Sequence, residues 1–379
     1  MRTLRPLKVG LNLLHLVPGQ TGGSEVYARH LVPALLEAGG HELVVFASRE
    51  GAPGIRSEPW APELEVVEIG VRAARRARRV AAEQTALPRA ARRTRIDLLH
   101  NLFTTAPAAP GVTQVTTILD LIYRRFPEAH SGLRSLGMRM LVPLSARRSA
   151  RIIAISEATK SDVVAYLGVD ASRVDVTYLA PGLSEAVEPV PEAALRERHS
   201  LGDAPIVLSV SAHRPHKNLD RLVDAVAALE RPAVLVVPGY GTEWEEELAA
   251  HVRRRGAEDR VRFLGWLGDA ELEGFYESAS CLAFPSLAEG FGLPVLEAMA
   301  RGLPVACSDA TSLPEVAGDA ALYFDPLDVP AMTGAIERLL ADGALRARLA
   351  VAGRERAAGF TWRKTAEGTL RSYERALAS

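Results

Sequence analysis

The sequence predicts an α/β protein built from two doubly wound, Rossmann-like domains with parallel sheets. Two observations favour this class. Strand-like runs alternate with helix-like runs over most of the 379 residues, and the strand-like runs are apolar nearly throughout. Runs of this kind are typical of parallel strands that helices cover on both faces. The length exceeds one ordinary core and suits two domains of roughly 150–200 residues each.

The N-terminal half opens with an apolar run, residues 7–14, that we interpret as a buried first strand. Basic residues precede this run, as in a signal peptide, but Asn12 and His15 lie in and beside it and no small-residue cleavage site follows. Further strands are predicted at 42–48, 97–101, 115–122 and 150–156. No run reaches the roughly 18 apolar residues that a transmembrane helix needs.

The C-terminal half repeats this alternation. Short apolar strands are predicted at 204–211, 232–239, 261–265, 280–286, 303–308 and 321–324. Helical patterns cover 219–229, 243–255, 269–278 and 293–300, and a last helix at 362–377 has no strand after it. A Pro- and Glu-rich stretch at 184–195 separates the halves. We therefore assign residues 1–188 to an N-terminal domain, 189–358 to a C-terminal domain and 359–379 to a terminal helix.

The charge and the cysteines limit the class of protein. The net charge of −1 creates no overall field that would favour nucleic acid or membrane. The two cysteines, Cys281 and Cys307, both sit inside apolar runs. A disulfide framework is thus not expected, and a cytoplasmic, reducing location is the simplest interpretation.

One segment has a local bias, because nine arginines lie between Arg72 and Arg95. A solvated helical face explains them simply. The alternative is a patch for anionic lipid head groups, at the inner face of the cell membrane, or for an anionic acceptor. Nucleic acid is not favoured, because no aromatic residues are interleaved with the arginines.

The most informative stretch runs from Glu289 to Glu297, with Gly-Phe-Gly-Leu-Pro between them. It follows a predicted strand and opens a predicted helix. Gly290 and Gly292 allow the backbone to approach a ligand closely. Free N–H groups at such a helix start bind phosphate or sugar oxygens, and a carboxylate one turn later can accept hydrogen bonds from ribose hydroxyls. A plain strand–loop–helix unit would also explain this spacing.

A second element is the polar loop after the strand at 204–211, which carries His213, Arg214, His216 and Lys217. A lysine beside a helix start suits a diphosphate, because it could neutralise charge that builds on a leaving group. Asn218 is predicted to cap the following helix. A solvated basic loop is the alternative.

The third element is the Gly-rich turn PGQTGGSE between the first strand and the first helix. Gly22 and Gly23 could admit phosphate oxygens or a sugar close to the backbone. The turn lacks the spacing of a dinucleotide fingerprint, so an ordinary tight turn explains it equally well.

These three elements together resemble glycosyltransferase family 4, a large family of retaining GT-B enzymes. EGFGLPVLE at 289–297 is similar to the family's Glu–seven residues–Glu motif, HKN at 216–218 to its basic loop, and TGGSE at 21–25 to its first Gly-rich loop. Runs such as LDLIYRRFPE and SLPEVAGDAALYFDPLD resemble the mannosyltransferase-B-like branch. The likeness covers nearly the whole chain and is weakest at 50–95.

The resemblance implies a GT-B fold whose two parallel sheets face each other across a cleft. The N-terminal domain would bind the acceptor and the C-terminal domain the nucleotide sugar, with the terminal helix crossing back to the N-terminal domain. No metal and no cofactor would be required. The catalytic residues implied are Glu289, Lys217 and Asp120. The donor contacts implied are Gly22, Gly23, Arg214, Lys217, Gly265, Glu289, Gly290, Phe291, Gly292, Leu293 and Glu297.

The resemblance also assigns roles within this set. Glu289 would contact donor-sugar hydroxyls, Lys217 would hold the diphosphate, and Glu297 would bind the ribose. The N–H groups of 291–293 would face sugar and phosphate, and the turn at 263–267, with Gly265, would lie beside the base. Gly22 and Gly23 would close over the diphosphate.

Two departures from the family pattern occur. Leu119 precedes Asp120 where many relatives have a histidine near the donor sugar, so that contact is not expected here. Asp120 either lines the acceptor side or is a strand-end cap or turn residue. Ser211 and Ala212 stand where the family often has glycine, and Arg214 could replace a missing phosphate contact.

The function expected is retaining transfer of a mannose-, glucose- or rhamnose-type hexose or deoxyhexose from a nucleotide diphosphate sugar. The acceptor would be a hydroxyl of a glycan, a glycolipid or a natural product, and polysaccharide biosynthesis is one such pathway. The alternatives are a non-catalytic GT-B partner or sugar-binding protein, which Leu119 motivates, a nucleotide-sugar epimerase, or a phosphorylase. The base and the acceptor stay open.

Overall fold

The computed structural model describes residues 6–17, 22–126, 133–182 and 187–378. Contacts along the chain divide it into two compact units. Unit 1 comprises Met1–Leu179 and Thr361–Ser379, and unit 2 comprises Ala180–Phe360. The sequence-based boundary at 188/189 falls a short way into unit 2.

The described residues of unit 1 form a seven-stranded parallel sheet. Its strands are β1 (Leu7–Leu13), β2 (His41–Ala47), β3 (Glu65–Glu68), β4 (Leu98–Asn101), β5 (Thr113–Ile118), β6 (Arg151–Ala154) and β7 (Val174–Val176). Their order across the sheet is β3-β2-β1-β4-β5-β6-β7. The winding direction therefore reverses between β1 and β4, as in a doubly wound fold. The apolar run at 7–14 is thus a strand near the middle of this sheet.

The helices of unit 1 that precede unit 2 follow the strands in the expected alternation. They are α1 (Gly23–Ala38), α2 (Gly51–Arg56), α3 (Arg76–Arg93), α4 (Ile122–Arg125), α5 (Leu133–Arg148) and α6 (Glu157–Leu167). Local sequence sets the ends of α6. The Ser156 hydroxyl accepts a hydrogen bond from the Thr159 N–H, and Gly168 ends the helix in the left-handed conformation at φ 63°.

Unit 2 contains a six-stranded parallel sheet. Its strands are β8 (Ile206–Leu208), β9 (Val234–Pro238), β10 (Val261–Leu264), β11 (Cys281–Phe284), β12 (Val305–Ser308) and β13 (Ala321–Phe324). They are ordered β10-β9-β8-β11-β12-β13, so the winding reverses between β8 and β11. Cys281 and Cys307 are unpaired and buried in this sheet, and burial raises the pKa of the Cys281 thiol to about 12.

Helices cover this sheet and complete unit 2. They are α7 (Glu192–His199), α8 (Leu219–Ala227), α9 (Glu245–Arg255), α10 (Asp269–Ser278), α11 (Leu293–Ala300), α12 (Leu313–Ala317), α13 (Val329–Ala341) and α14 (Gly343–Ala357). The predicted helices at 269–278 and 293–300 have the predicted ends. A cluster of buried apolar side chains from α8, α13 and the strands β8, β9 and β11 forms the core on one face of the sheet.

A last helix, α15 (Trp362–Ala378), belongs to unit 1 and packs against α1. The Trp362 ring stacks on His30 with centroids 5.1 Å apart. Further along, the Tyr373 hydroxyl lies 2.8 Å from His100 Nδ1, and His100 Nε2 lies 2.8 Å from the Thr117 hydroxyl. All three groups are buried, so a polar chain ties α15 to β4 and β5.

The strands of unit 1 differ from the sequence predictions in two respects. The strand predicted at 115–122 ends at Ile118, and α4 begins at Ile122. The edge strands β3 and β7 were not predicted. Glutamates at both ends of β3 remove its apolar character, and β7 has only three residues, with Asp175 in the middle. In the part of the chain that the structure describes, no helix is long and apolar enough to cross a membrane.

Candidate functional site

The predicted donor residues of unit 2 lie on loops at the carboxyl ends of its strands, where open α/β sheets bind ligands. Glu289 is in the loop between β11 and α11. Thr311 and Ser312, which follow β12, hold that loop through hydrogen bonds. The Glu289 N–H donates to the Thr311 hydroxyl at 2.9 Å. The buried Ser312 hydroxyl contacts the carbonyl oxygens of Glu289 at 3.1 Å and Phe291 at 3.0 Å. These hydrogen bonds fix the conformation of the loop.

Lys217 and Glu289 form an ion pair. The Lys217 Nζ lies 2.6 Å from Glu289 Oε1, and the two side chains are 16% and 10% exposed. The ammonium also lies 5.4 Å from the centroid of the Phe284 ring. The fold thus brings these two predicted site residues into contact, although they lie 72 positions apart in the sequence.

Asn218 positions Lys217, although not in the way predicted. It occupies the position before α8 with φ 59°, but its side chain makes no capping bond. Its Nδ2 instead donates to the carbonyl oxygens of Pro285 at 3.0 Å and Pro326 at 2.7 Å. These two residues follow β11 and β13, so a buried amide braces the lysine loop against two other loops at the same sheet edge.

The start of α11 has the geometry of an anion-binding helix terminus. Gly292 precedes the helix at φ 101°, and a Cβ there would lie 2.5 Å from Leu313. Only glycine fits that conformation and that space. The N–H of Leu293 has no hydrogen-bond acceptor among the described residues. The Phe291 ring is buried and packs against Phe360, so its side chain belongs to the core.

Glu297 lies buried one turn into α11. Its Oε2 accepts a hydrogen bond from the Tyr276 hydroxyl at 3.0 Å, and its Oε1 accepts from the Gly182 N–H at 3.3 Å. Burial raises the pKa of this carboxyl above its usual value. The two oxygens together have about four acceptor positions, so further hydroxyl groups can still bind. Sequence reasoning missed Tyr276 and Gly182, because neither belongs to a recognisable motif.

The other predicted donor residues of unit 2 lie on neighbouring loops. Arg214 Nη2 lies 3.4 Å from the Tyr240 hydroxyl, and its guanidinium lies 6.0 Å from the centre of that ring. Gly265 follows β10, and its carbonyl accepts from the Gly239 N–H at 3.3 Å. The next residue, Trp266, is 56% exposed. Gly290 lies half-buried between Glu289 and Phe291.

The remaining predicted residues lie in unit 1. Gly22 precedes α1 at φ 56°, and its carbonyl accepts from the Glu25 N–H at 2.8 Å, while Gly23 is the exposed first residue of α1. Thr21 and the rest of the turn back to residue 18 lie outside the described residues. Asp120 Oδ1 accepts from the Ile122 N–H at 3.0 Å, so Asp120 is a turn residue at the start of α4. Its acceptor-side role stays a prediction.

In the described ranges, no three His, Cys, Asp or Glu side chains come together as a metal site requires. The arginine-rich segment is mostly exposed. Eight of its nine arginines are on the surface, and Arg79 is half-buried in α3.

Family models match both halves of the chain. The family described as "Glycosyl transferases group 1" matches residues 192–356, and "Glycosyltransferase Family 4" matches residues 21–180. The O-antigen chain mannosyltransferase B of Escherichia coli is 32% identical over 267 residues, which cover 69% of this chain and 70% of that protein. The D-inositol 3-phosphate glycosyltransferase of Frankia alni is 36% identical over 254 residues, covering 61% of this chain and 60% of the relative.

Solved structures share the fold over nearly the whole length. Sucrose-phosphate synthase from Thermosynechococcus elongatus superimposes with a TM-score of 0.80 at 22% identity, covering 98% of this chain and 99% of that one. HepE from Anabaena, in complex with UDP and glucose, gives a TM-score of 0.76 at 20% identity, covering 97% and 99%.

Two Rossmann-like units with these counterparts define the GT-B class. The chain belongs to glycosyltransferase family 4, and it is a hexosyltransferase. The predicted family, fold class and enzyme class are therefore confirmed.

Proposed function

We propose that this enzyme transfers a hexose or deoxyhexose from a nucleotide diphosphate sugar to a hydroxyl of a glycan, glycolipid or natural-product acceptor, with retention of the anomeric configuration. The observation that carries the proposal is the Lys217–Glu289 ion pair of 2.6 Å at the carboxyl edge of the sheet of unit 2. The names of the relatives, which include mannosyltransferases, support a mannose-type donor as the first one to test.

Lys217 would stabilise the leaving diphosphate. Its ammonium has three N–H donors, and one is directed to Glu289. The other two can contact phosphate oxygens, where negative charge develops as the sugar–phosphate bond breaks. The second carboxylate oxygen of Glu289 can at the same time accept a hydrogen bond from a donor-sugar hydroxyl. The pair therefore joins the two halves of the donor at the bond that breaks.

The start of α11 would complete the donor site. The N–H of Leu293 and the helix dipole favour phosphate or sugar oxygens. Glu297, whose hydrogen bonds from Tyr276 and Gly182 leave acceptor positions open, would bind the ribose hydroxyls. Gly265 and Trp266 would lie beside the base, and Arg214 beside the phosphates.

The transfer balances without a further reactant. The acceptor oxygen forms a bond to the anomeric carbon on the face from which the diphosphate leaves, and the acceptor proton passes to a phosphate oxygen. The products are the glycoside and the nucleoside diphosphate. Because Lys217 and the α11 terminus supply the positive charge, no metal or cofactor is required in this proposal.

The test is to incubate the protein with GDP-mannose, UDP-glucose and TDP-rhamnose, each with a panel of acceptors, and to assign the anomeric configuration by NMR. Calorimetry with UDP, GDP, TDP and ADP identifies the base. Transfer with retention, unchanged in EDTA, is the expected result. Inversion, or a strict need for a divalent cation, contradicts the proposed mechanism. Donor conversion without any acceptor would indicate an epimerase.

We also propose a peripheral contact with anionic membranes through the exposed arginines of the segment Arg72–Arg95. Each such arginine adds about 1 kcal/mol of attraction near an anionic surface, and salt screens it. The double variant Arg89→Gln with Arg93→Gln loses about 2 kcal/mol of this attraction and is then expected to bind anionic vesicles roughly thirtyfold more weakly. Arg231→Gln with Arg253→Gln removes two exposed arginines of unit 2 and is the matched control. Vesicle binding that ignores salt, or that falls equally in both variants, contradicts this contact.

A further inference from the structure

The nine arginines of the segment Arg72–Arg95 do not form one patch. The helix α3 has 18 residues, which corresponds to about 27 Å of length. Arg72, Arg75 and Arg78 lie at or before its N-terminal end, whereas Arg89 and Arg93 lie in its second half. The two groups are therefore separated by about 16 Å along the helix axis.

The first group lines a depression on unit 1 with a volume of about 320 Å³. We call it the arginine depression, and its lining residues are Arg49, Gly70, Val71, Arg72, Arg75 and Arg78. Arg49 follows the end of β2, and Gly70 follows the end of β3. The depression therefore lies at the carboxyl edge of the sheet, the edge at which open α/β sheets bind ligands.

Hydrogen bonds hold the backbone that forms the walls. The Arg49 N–H donates to the Val71 carbonyl at 3.0 Å, which joins the two strand-end loops. The Ala73 N–H donates to Glu50 Oε2 at 2.8 Å. The Arg75 N–H donates to the Arg72 carbonyl at 3.1 Å, which forms the turn before α3. The guanidinium groups are thus presented from a backbone with defined hydrogen bonds.

The positive charge in this depression is only partly compensated. Arg72, Arg75 and Arg78 form no ion pair among the described residues, and Arg49 reaches Glu68 only at 4.0 Å. Glu50 accepts a hydrogen bond from the Ala73 N–H, and its single negative charge leaves the four lining arginines in excess. Like charges that face one concave surface repel each other, so an anion in the depression would be stabilised by several of them at once.

The size and lining of the depression select the class of anion. A volume of about 320 Å³ lies at the lower end of small-molecule sites, but those are mostly apolar, and this one is lined by guanidinium groups. Planar guanidinium groups form paired hydrogen bonds with phosphate oxygens. We propose that the arginine depression binds a phosphate or diphosphate group of the acceptor. This inference rests on the proposed function and deepens it, because it names the chemical class of the acceptor.

Gly70 provides a direct test. It is exposed, and a Cβ added there meets nothing within 4 Å. Gly70→Asp therefore places a carboxylate inside the depression without strain, and Gly70→Asn is the matched neutral control. Inorganic pyrophosphate is titrated by calorimetry into the full chain carrying Lys217→Ala, so that the contribution of the proposed donor site is reduced. Gly70→Asp is expected to weaken pyrophosphate binding at least tenfold, and Gly70→Asn to change it less than twofold.

A second pair of variants tests whether pyrophosphate binding depends on the arginines that line the depression rather than on the overall positive charge. Arg72→Gln with Arg75→Gln is expected to reproduce the loss, whereas Arg89→Gln with Arg93→Gln, at the other end of α3, is expected to retain binding. Equal loss in both pairs would reduce the site to general electrostatic attraction and overturn the proposal. The absence of pyrophosphate binding in the parent chain would overturn it as well.

Two further measurements distinguish a lipid surface from a phosphorylated acceptor as the source of the anion. They also separate a failure of this inference from a failure of the proposed function. Loss of vesicle binding in Gly70→Asp, without pyrophosphate binding in the parent, would assign the depression to a lipid surface and overturn the acceptor site. Transfer with higher KM for a phosphorylated acceptor in Gly70→Asp, and an unchanged KM for a neutral one, supports it. Because calorimetry needs no turnover, an inactive chain that binds pyrophosphate refutes only the proposed function.

Discussion

The carboxyl edges of the two sheets hold their charges in opposite ways. In unit 2, Lys217 pairs with Glu289, and the buried Glu297 accepts from Tyr276. In unit 1, the arginines of the depression are exposed and have no acidic partner closer than the 4.0 Å contact to Glu68. A partly buried charge needs a partner inside the protein, whereas an exposed one is solvated by water.

This difference predicts how each edge responds to substitution. Changes in unit 2 remove a partner from a second group, so they affect the neighbours as well as the ligand. Changes in the arginine depression remove a group that is exposed to solvent, so the fold is expected to be insensitive to them. The predictions below test this contrast, beginning with the largest effect.

Loss of either member of the Lys217–Glu289 pair is expected to have the largest effect. Lys217→Ala and Glu289→Ala should each lower kcat by roughly 10²–10³, the usual effect of losing one group that stabilises charge in a transition state. Initial rates measure this loss, and thermal unfolding shows whether the fold survives, as expected for loop residues.

The double variant sharpens the prediction. Residues that act together on one bond give a combined loss smaller than the product of the single losses. If the pair only holds the loops together, the double variant should instead recover stability that each single variant lost. A folded Lys217→Ala protein with normal turnover would remove the lysine from the mechanism.

Glu297 makes nucleotide binding depend on pH. Because burial raises the pKa of its carboxyl above the usual 4.5, acidification protonates Glu297 while an ordinary surface glutamate is still ionised. The protonated form is a weaker acceptor, so nucleotide affinity should fall as the pH decreases through this raised pKa. Calorimetry at several pH values measures the change.

Glu297→Gln is the control for this pH dependence. It should bind nucleotide about tenfold more weakly, as expected for the loss of a charged hydrogen-bond acceptor, and without a pH response in that range. For stability the sign is reversed, since a raised pKa in the folded state favours folding at lower pH. A wild-type affinity that does not change with pH would refute the ribose-contact role.

Substitution of Asn218 is expected to have an intermediate effect on kcat, because this residue only positions the loop that carries Lys217. Asn218→Gly preserves the backbone at φ 59° but removes the amide that holds Pro285 and Pro326. We expect kcat to fall about tenfold, since misplacement of the lysine loop weakens its contact with the donor. Asn218→Ala should lose about 1 kcal/mol more stability, because alanine is strained at positive φ. Equal rates in Asn218→Gly and the parent would show that the brace does not position Lys217.

Substitution of Tyr373 is expected to lower the stability of unit 1 without changing the affinity for the nucleotide. Tyr373→Phe leaves His100 Nδ1 buried without its partner at 2.8 Å, at a cost of about 1–3 kcal/mol. Denaturant unfolding measures this loss, and nucleotide affinity should be unchanged. Burial lowers the pKa of His100 to about 3, so His100 also destabilises the fold as the pH falls below 6.5. His100→Gln should reduce that dependence.

The sequence predicted the parts of unit 2 whose signals are local. Helix α11 begins after a glycine and ends with its apolar pattern, so its range was predicted correctly. Lys217 and Glu289 each follow an apolar strand, and parallel topology alone brings such positions to the same edge.

The parts that were missed depend on distant residues. Asn218 looked like a helix cap, but carbonyl groups of Pro285 and Pro326 compete for its amide. The hydroxyl that donates to Glu297 comes from Tyr276, which lies in α10 outside any recognisable motif. The arginine depression needs Arg49 from one loop and Arg72 from another, so composition alone indicated only a basic segment.

The return of α15 to unit 1 has a consequence for the order in which the protein can assemble. Unit 2 is encoded between the two segments of unit 1, so the ribosome completes Ala180–Phe360 before it adds the helix that carries Trp362 and Tyr373. During synthesis, unit 1 lacks α15 until unit 2, a continuous segment, has been made. Until then the surface of α1 and the His100 side chain are not covered by α15. Unit 1 is thus begun first and completed after unit 2. A premature stop within α15 is therefore expected to destabilise unit 1, although most of that unit is encoded at the start of the chain.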